Sequence, residues 1–146
     1  MTGDIYTIHA DGGSRGNPGP AAYGFVLRGP GIAEVAAGRA IGTATNNVAE
    51  YMAVIEGLKK LKALLGTEKA AMSSVQVRAD SELVVRQANR QYKVKDPNLK
   101  KLFVDLHNAC MDFSSVSFTH IPREQNAAAD RMVNEALDGE QKGLGL

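Results

Sequence analysis

The chain has almost no cysteine and no tryptophan. Cys110 is the single cysteine among 146 residues, which excludes an intrachain disulfide and a thiolate zinc site and favours a reducing, cytoplasmic setting. Long apolar runs are also missing, since no stretch approaches the roughly 20 apolar residues that a membrane helix needs. The start of the sequence does not resemble a secretory signal. These absences favour a globular cytoplasmic protein that does not act at a membrane.

The composition that remains is that of an ordinary globular domain. Hydrophobic residues make up 44% of the chain and charged residues 23%, and this length is enough for one domain with a proper core. We expect a single domain over residues 1–138 and a flexible C-terminal tail over residues 139–146. No feature of the sequence calls for an obligate protein partner, so we expect a monomer.

The net charge of +1 conceals one strongly basic segment. Between residues 86 and 101 a single acid, Asp96, faces six cations, which are Arg86, Arg90, Lys93, Lys95, Lys100 and Lys101. A local basic patch is typical of a protein that binds a polyanion. A solvated helical surface produces the same pattern, so both interpretations stay open.

The order of strand-like and helix-like patterns predicts the fold class. Period-two patterns and turn residues indicate strands at residues 5–11, 23–27, 32–41, 75–79 and 116–120. Apolar residues at helical spacing and capping residues indicate helices over residues 47–65, 82–91, 97–112 and 124–138. The glycine- and proline-rich stretch from Gly12 to Pro20 predicts a turn. Three strands followed by alternating strands and helices indicate an α/β fold with a mixed sheet flanked by helices.

Four carboxylates stand out because of where they lie on these elements. Asp11 and Asp80 each end a strand, so parallel pairing of the two strands would bring both to one edge of the sheet. Glu50 lies near the apolar stripe of the first helix, where a carboxylate is costly unless it is paired or metal-bound. Asp130 lies at the edge of the apolar face of the last helix. Converging acids oppose one another's ionisation unless they hold a cation, and oxygen ligands suit magnesium or manganese. The set predicts a metal-dependent phosphodiesterase.

Each of these acids also has a simpler interpretation when it is taken alone. An aspartate that follows a strand is commonly a turn or cap residue. Glu50 could form a capping pair with Asn47 at the start of its helix. Asp130 could pair with Arg123 or Asn134. None of these alternatives explains why all four acids occur together.

Four motifs carry a resemblance to a known family. They are DGGSRGNPG from residue 11, TNNVAEY from residue 45, ADSELV from residue 79 and IPREQNAAADR from residue 121. In this order they closely resemble type 1 ribonuclease H, in particular its short bacterial and archaeal-like branch, over residues 5–138. The resemblance implies the ribonuclease H-like fold, with a five-stranded sheet in the order 3-2-1-4-5. It also implies hydrolysis of the RNA strand of RNA–DNA hybrids, giving 5′-phosphate and 3′-hydroxyl products.

The resemblance also assigns catalytic and metal-binding roles. The residues that match the family's metal-binding carboxylates are Asp11, Glu50, Asp80 and Asp130. This implies two Mg²⁺ ions, with Mn²⁺ as a possible substitute, and two-metal-ion catalysis. Well-known bacterial members use an auxiliary histidine in a longer loop before the last helix. Here the loop is short, and we expect Arg123 in the auxiliary role, with His120 as the second choice.

Neutral groups in the turns are expected to bind the substrate. Proteins distinguish RNA from DNA by contacts to the 2′-hydroxyl and the minor-groove edges. The expected substrate-binding residues are Gly12, Gly13, Ser14, Arg15, Asn17, Thr45, Asn46, Asn47, Ser81, Glu82 and Asn126, with Lys93 and Lys95 on phosphates. Some family members carry a basic protrusion with a tryptophan, which this chain lacks. That difference bears on affinity for the hybrid more than on catalysis.

Other functions fit parts of the same pattern. A 3′ exonuclease with the same sheet usually carries Asp-x-Glu on the first strand, whereas glycine follows Asp11 twice here. A catalytically weak nucleic-acid-binding module would be expected to have lost one of the carboxylates, and all four are present. Activity on double-stranded RNA as well as on hybrids is a further alternative that the sequence leaves open.

Overall fold

The structure, a computed structural model, describes residues 3–143 as one mixed sheet with helices on both faces. Within that range the elements follow one another as β1 (Ile5–Ser14), β2 (Gly19–Arg28), β3 (Val35–Ala44), α1 (Asn46–Leu65), α2 (Thr67–Ala71), β4 (Ser74–Ala79), α3 (Glu82–Ala88), α4 (Pro97–Cys110), β5 (Ser115–His120), a 3-10 turn (Arg123–Gln125) and α5 (Ala127–Gly143). None of the helices in this range combines the length and the apolarity that crossing a bilayer takes.

The sheet has the strand order that the sequence resemblance implied. The five strands lie in the order β3-β2-β1-β4-β5. β1 runs antiparallel to β2 and parallel to β4, and β5 lies parallel to β4 on the far side. Ala10 pairs with Ala79 at the last rung between β1 and β4. Asp11 follows Ala10 and Asp80 follows Ala79, so the parallel register brings these two acids to the same edge of the sheet.

The main core lies between the sheet and the first long helix. Tyr6 and Ile8 of β1 and Phe25 of β2 belong to one buried cluster, together with residues of α1 and α4. The predicted apolar stripe of α1 contributes to this cluster, because its buried residues include Tyr51, Val54, Ile55, Leu58 and Leu61. Burial of this stripe is the main force that fixes α1 on the sheet, because hydrophobic burial dominates the stability of such a layer.

Helix α5 covers the opposite face of the sheet. Ala22 of β2 packs with Val133 and Leu137 of α5 in a second buried cluster. The approach is close, since a β-carbon added at Gly24 would lie 2.6 Å from the backbone oxygen of Ala129. Small residues on β2 therefore allow α5 to lie directly against the strands, which brings its first turn toward the sheet edge that carries the acids.

The turn expected from Gly12 begins later than predicted. β1 continues to Ser14, and Gly12 pairs with Tyr23 while Ser14 pairs with Ala21. Glycine is common in turns, but here the ladder with β2 supplies backbone hydrogen bonds that keep the segment extended. The local preference of the glycines was therefore overridden by strand pairing.

The start of α1 also differs from the capping alternative. The cap is Thr45, whose hydroxyl accepts a hydrogen bond from the backbone N–H of Val48 at 3.3 Å. The capping pair of Asn47 and Glu50 is therefore wrong, and the Glu50 carboxylate is directed elsewhere. Ser81 and Asp96 cap the two helices that follow them, α3 and α4.

The last helix was predicted with the wrong limits. A 3-10 turn precedes it, and α5 itself starts at Ala127 rather than at residue 124 and continues to Gly143. The expected tail over residues 139–146 is therefore helical as far as residue 143, and residues 144–146 lie outside the described residues. Burial of Leu137 and the ion pair of Asp138 with Arg15 help to hold the end of this helix against the sheet.

Candidate active site

A cavity of about 360 Å³ opens at the sheet edge just beyond Ala10 and Ala79. Its walls are formed by Asp11, Gly12, Gly13, Ser14, Arg15, Asn46, Asn47, Glu50, Asp80, Ser81, Arg123, Asp130, Val133, Asn134 and Leu137. The structure therefore brings to one cavity all four carboxylates that the sequence singled out, although they come from β1, α1, the end of β4 and α5.

Glu50 reaches this cavity because α1 lies against the glycine that follows Asp11. The backbone N–H of Gly12 donates a hydrogen bond to Glu50 Oε1 at 2.6 Å. A β-carbon at residue 12 would lie 2.2 Å from the carbonyl carbon of Ala49, which is far inside van der Waals contact. Only glycine lets the helix and the strand come this close, and the hydrogen bond then fixes the Glu50 carboxylate beside Asp11.

Three of the acids form a group with the spacing of metal ligands. One carboxylate oxygen from each of Asp11, Glu50 and Asp80 lies within 4.8 Å of the others. Asp130 lies in the first turn of α5. Its Oδ2 accepts a hydrogen bond from Asn134 Nδ2 at 3.3 Å, one helical turn further on. The fourth acid is thus supported by a neighbour on its own helix.

Burial and mutual repulsion disfavour the charged forms of the two innermost acids. The pKa of Asp11 is raised to about 7, mainly by burial and then by the charges of Asp80 and Asp130, while a hydrogen bond with Glu50 lowers it. Burial also raises the pKa of Glu50 well above its usual value, with the charge of Asp11 as the next cause, while the Gly12 amide lowers it. These shifts follow from placing carboxylates close together away from water.

The arrangement fits a divalent cation. Carboxylate oxygens are the ligands that Mg²⁺ and Mn²⁺ prefer, and a cation among them would turn the mutual repulsion into attraction. The residues that would hold it are Asp11, Glu50 and Asp80, with Asp130 adjacent to Asp11. The raised pKa values and the close oxygen spacing both support this assignment.

The raised pKa of Asp11 predicts a pH-dependent loss of stability in the metal-free protein. Between pH 3.8 and about 7 the folded protein keeps a proton on Asp11 that the unfolded chain has released. Unfolding then releases protons, so this group makes the free energy of unfolding fall as the pH rises through that window. Denaturant unfolding in EDTA at several pH values measures the effect. Asp11→Asn should lack this component, and an identical pH profile for wild type and variant would contradict the prediction.

The two candidates for the auxiliary role lie on either side of Asp80. Arg123 Nε is 3.9 Å from Asp80 Oδ2, and the Arg123 side chain is 87% exposed. It therefore meets Asp80 and not Asp130, which was the alternative. His120 ends β5, and its Nε2 is 3.3 Å from the backbone oxygen of Asp80. Of the two, only Arg123 lines the cavity.

The turn between β1 and β2 is fastened to the start of α1. The backbone N–H of Ser14 donates to Asn46 Oδ1 at 2.8 Å, and the Asn46 N–H donates to Asn17 Oδ1 at 3.1 Å. Thr45 uses its hydroxyl to cap the helix. These bonds form one wall of the cavity, where Asn47 and the glycine-rich turn also lie.

Six expected substrate residues are not among those that line the cavity, namely Asn17, Thr45, Glu82, Asn126, Lys93 and Lys95. Glu82 Oε1 accepts a hydrogen bond from Arg86 Nε at 2.9 Å, so its carboxylate is engaged on α3. Asn126 is 1% exposed, and a side chain that is buried in this way does not reach a nucleic acid. The predicted direct contact between Asn126 and the substrate is therefore wrong. Lys93 and Lys95 are exposed in the loop between α3 and α4.

Two polar residues of α5 were missing from the predicted site. Asn134 hydrogen-bonds Asp130 and lines the cavity. Asp138 Oδ1 accepts a hydrogen bond from Arg15 at 2.8 Å and so ties the β1–β2 turn to α5. Their spacing was the available signal, because residues 130, 134 and 138 are four apart and share one helix face.

Comparison with known proteins extends these observations to nearly the whole chain. Residues 9–136 match the family model described as reverse transcriptase-like. The chain is 45% identical over 133 residues to the bifunctional protein Rv2228c of Mycobacterium tuberculosis, which covers 90% of this chain and 35% of that protein. It is 41% identical over 134 residues to ribonuclease HI of Halobacterium salinarum, covering 90% of this chain and 64% of the relative. The chain thus spans about a third of the first of these relatives and less than two thirds of the second.

A solved structure agrees with the fold along the full domain. The crystal structure of LC11-RNase H1 in complex with an RNA/DNA hybrid superposes with a TM-score of 0.84 at 46% identity. The match covers 93% of this chain and 99% of that chain. The similarity therefore extends over nearly the whole chain.

Proposed function

The chain belongs to the type 1 ribonuclease H family, and from this we propose that it hydrolyses the RNA strand of RNA–DNA hybrids in a reaction that depends on divalent metal ions. The observation that carries the proposal is the convergence of Asp11, Glu50, Asp80 and Asp130 on one open cavity. The name of the Halobacterium relative and the hybrid bound in the LC11-RNase H1 structure support the choice of substrate.

The four carboxylates would hold two Mg²⁺ ions, or Mn²⁺ in their place. Such ions, when bound, lower the pKa of water and stabilise charge on phosphate oxygens. The chain itself contributes a rigid set of ligands, since the Gly12 amide fixes Glu50 and Asn134 supports Asp130. Water attacks the phosphorus and the bond to the 3′ oxygen breaks, which gives the 5′-phosphate and 3′-hydroxyl ends that we propose.

Arg123 is the proposed auxiliary residue of this reaction. A guanidinium acts by its charge and by hydrogen bonding and not by transferring a proton. Its exposed position beside Asp80 would let it contact a phosphate at the mouth of the cavity and move away with the product. His120, at the end of β5, stays the second candidate.

Recognition of the RNA strand is assigned to the wall made by the β1–β2 turn and the start of α1. The side-chain amides of Asn46 and Asn47 lie on that wall, whereas the backbone N–H groups of Gly12 and Ser14 already donate to Glu50 and Asn46. Groups of this kind read 2′-hydroxyls and minor-groove edges, and this is how proteins distinguish RNA from DNA. Several adjacent ribonucleotides would therefore be needed for efficient cleavage.

The proposal predicts a strict order of substrates in a cleavage assay. An RNA–DNA hybrid with a labelled RNA strand should be cut in Mg²⁺ and left intact in EDTA, and an all-DNA duplex of the same sequence should not be cut. A double-stranded RNA of the same sequence tests whether the protein also cuts RNA duplexes. Analysis of the product ends tests for the 5′-phosphate and the 3′-hydroxyl. Cleavage of the DNA duplex at the rate of the hybrid would refute the assignment, as would full activity in EDTA.

The basic segment is proposed to bind phosphates of the hybrid outside the cavity. Lys93 lies in a surface groove with Lys100, Tyr92 and Phe103, and Lys95 is exposed two residues further on. Replacing Lys93 and Lys95 with alanine should weaken binding to all hybrid sequences, and the slope of log K against log salt should shrink by about one per lost contact. Titrations in Ca²⁺ over a salt series measure this slope without cleavage.

A matched variant separates these contacts from a general loss of charge. Lys59 and Lys60 are exposed on α1, so replacing both with alanine removes the same charge from another surface. This control should keep the wild-type salt slope. Equal slopes for wild type and for the Lys93/Lys95 variant would show that the basic segment is a solvated surface that does not bind the hybrid.

A further inference from the structure

Asn126 is a fully buried amide between two elements of the active site. It is 1% exposed and lies directly before α5. Its Nδ2 donates a hydrogen bond to the backbone oxygen of Ala10 at 2.8 Å. Ala10 precedes Asp11, so the side chain of Asn126 holds the strand at the point where the first carboxylate emerges.

The backbone of the same residue is bonded to two further parts of the site. Its carbonyl oxygen accepts a hydrogen bond from the N–H of Asp130 at 3.1 Å, and its N–H donates to the carbonyl oxygen of Arg123 at 2.9 Å. The first bond opens the helix that carries Asp130, and the second closes the 3-10 turn that carries Arg123. One residue thus contacts the segments of three functional side chains.

The loop that contains Asn126 is fastened to the neighbouring strand in the same manner. The N–H of Ile121 donates to the carbonyl oxygen of Ala79 at 2.9 Å, one residue before Asp80. Ala79 and Ala10 are partners in the ladder between β1 and β4. The loop over residues 121–126 therefore crosses both strands one residue before each carboxylate, and it is a side chain, Asn126, that makes the attachment to β1.

The side-chain amide of Asn126 forms a hydrogen bond through its donor and not through its acceptor. Among the described residues, Asn126 Oδ1 is a buried polar side-chain atom without a hydrogen-bond partner. Leucine, which is similar in size, would fill this space but has no donor. Aspartate would also lack the donor and would add a negative charge beside Asp11. The hydrogen bond to Ala10 is therefore the feature of Asn126 that neither residue can supply.

We propose that Asn126 is a positioning residue, which fixes the spacing between Asp11 and Asp130 by fastening the start of α5 to β1 at Ala10. The inference rests on the proposed function, because the spacing matters only if the two carboxylates act together. Groups that orient metal-binding side chains without touching the ion commonly change affinity or activity when they are replaced.

The test compares two buried side-chain donors that bind backbone carbonyl oxygens at different ends of the sheet. Asn126→Leu removes the bond to Ala10. Ser73→Ala is the matched control, since Ser73 is also 1% exposed and its hydroxyl donates to the carbonyl oxygen of Lys69 at 2.7 Å, just before β4 begins. The readouts are calorimetric binding of Mn²⁺ alone, unfolding in denaturant, hybrid affinity in Ca²⁺ and single-turnover cleavage at saturating hybrid.

Asn126→Leu should bind Mn²⁺ about tenfold more weakly or worse, with a comparable fall in the single-turnover rate. Its hybrid affinity should match that of wild type, because Asn126 does not reach the surface. Ser73→Ala should lose stability but keep Mn²⁺ affinity and rate. Asn126→Ala, which also removes the donor and adds no charge, should behave as Asn126→Leu does and supplies the comparison if the leucine variant does not fold.

Wild-type Mn²⁺ affinity and cleavage rate in a folded Asn126 variant would overturn the inference and leave Asn126 with a purely structural role. Failure of the wild-type protein to cut a hybrid would instead refute the proposed function. The Mn²⁺ titrations would still decide the role of Asn126 in that case, because they do not depend on the substrate.

Discussion

Replacing Asp11 with asparagine should abolish cleavage of an RNA–DNA hybrid while the fold stays intact. Asp11 is the acid to which the other three lie close, since Glu50, Asp80 and Asp130 all act on its pKa. Asparagine keeps the size of the side chain but removes the negative charge that a divalent cation needs. The variant should therefore lose Mg²⁺-dependent activity below detection, and its melting temperature should no longer rise when Mg²⁺ is added.

The same substitution should stabilise the protein when metal is absent. At pH 8 the wild-type site holds several carboxylates that burial and mutual repulsion disfavour, which is why the pKa of Asp11 is raised to about 7. Removing one charge should raise the free energy of unfolding by up to roughly 4 kcal/mol, because raising the pKa from 3.8 to about 7 costs roughly 1.4 kcal/mol per pKa unit. Denaturant unfolding in EDTA, with and without excess Mg²⁺, measures both effects.

Asp105→Asn provides the matched control, because Asp105 lies on α4 and away from the cavity. It makes the same chemical change and should leave activity and the response to Mg²⁺ as in wild type. Full cleavage by Asp11→Asn would remove Asp11 from the catalytic group. A loss of metal-free stability in Asp11→Asn would contradict the repulsion argument even if activity were lost.

The positions of the strand-end acids could be predicted because they follow from backbone geometry. Asp11 and Asp80 come directly after residues that pair in a parallel ladder, and such pairing always places the following residues at one edge. Glu50 could not be settled in the same way. Its assignment depended on whether Asn47 capped the helix, and the observed cap at Thr45 lies two residues away, a difference that sequence patterns do not resolve.

Two further features were inaccessible to the sequence because they depend on tertiary packing. Gly12 and Gly13 have the composition of a turn, yet pairing with β2 keeps them extended. Asn126 sits in a polar motif and suggests a surface residue, yet the loop buries it against Ala10. In both cases the local sequence indicated a turn or a surface residue, and a contact with another part of the fold changed that outcome. Both segments lie next to the site.

Gly12→Ala should inactivate the enzyme through packing and not through charge. The added methyl group would lie 2.2 Å from the carbonyl carbon of Ala49 and 2.4 Å from the backbone nitrogen of Glu50, and backbone atoms cannot rotate away as a side chain can. The helix must therefore move outward and take the Glu50 carboxylate with it. A displacement of about 1 Å at a reacting centre can cost roughly 100-fold in rate, and overpacking of this kind costs about 1–3 kcal/mol in stability.

Gly13→Ala is the control for the steric argument. Its methyl group would meet only Val133 Cγ1 at 3.8 Å, which is an ordinary contact. The Gly13 variant should keep the wild-type free energy of unfolding and the wild-type affinity for Mn²⁺, whereas the Gly12 variant should lose both. A Gly12→Ala protein that cleaves hybrid at the wild-type rate would show that α1 has room to move, and the role of Gly12 in placing Glu50 would be wrong.

The two inactivating substitutions, at neighbouring residues, are expected to change stability in opposite directions. In EDTA, Asp11→Asn should raise the free energy of unfolding because it relieves repulsion among acids that the fold brings together. Gly12→Ala should lower it because the Gly12 N–H no longer reaches Glu50 Oε1 at 2.6 Å and the helix no longer packs closely. Comparing the free energies of unfolding of the two variants separates the effect of repulsion among the carboxylates from the effect of packing between α1 and β1. If both variants were destabilised to the same extent, the carboxylates would not be under the mutual repulsion that their geometry requires.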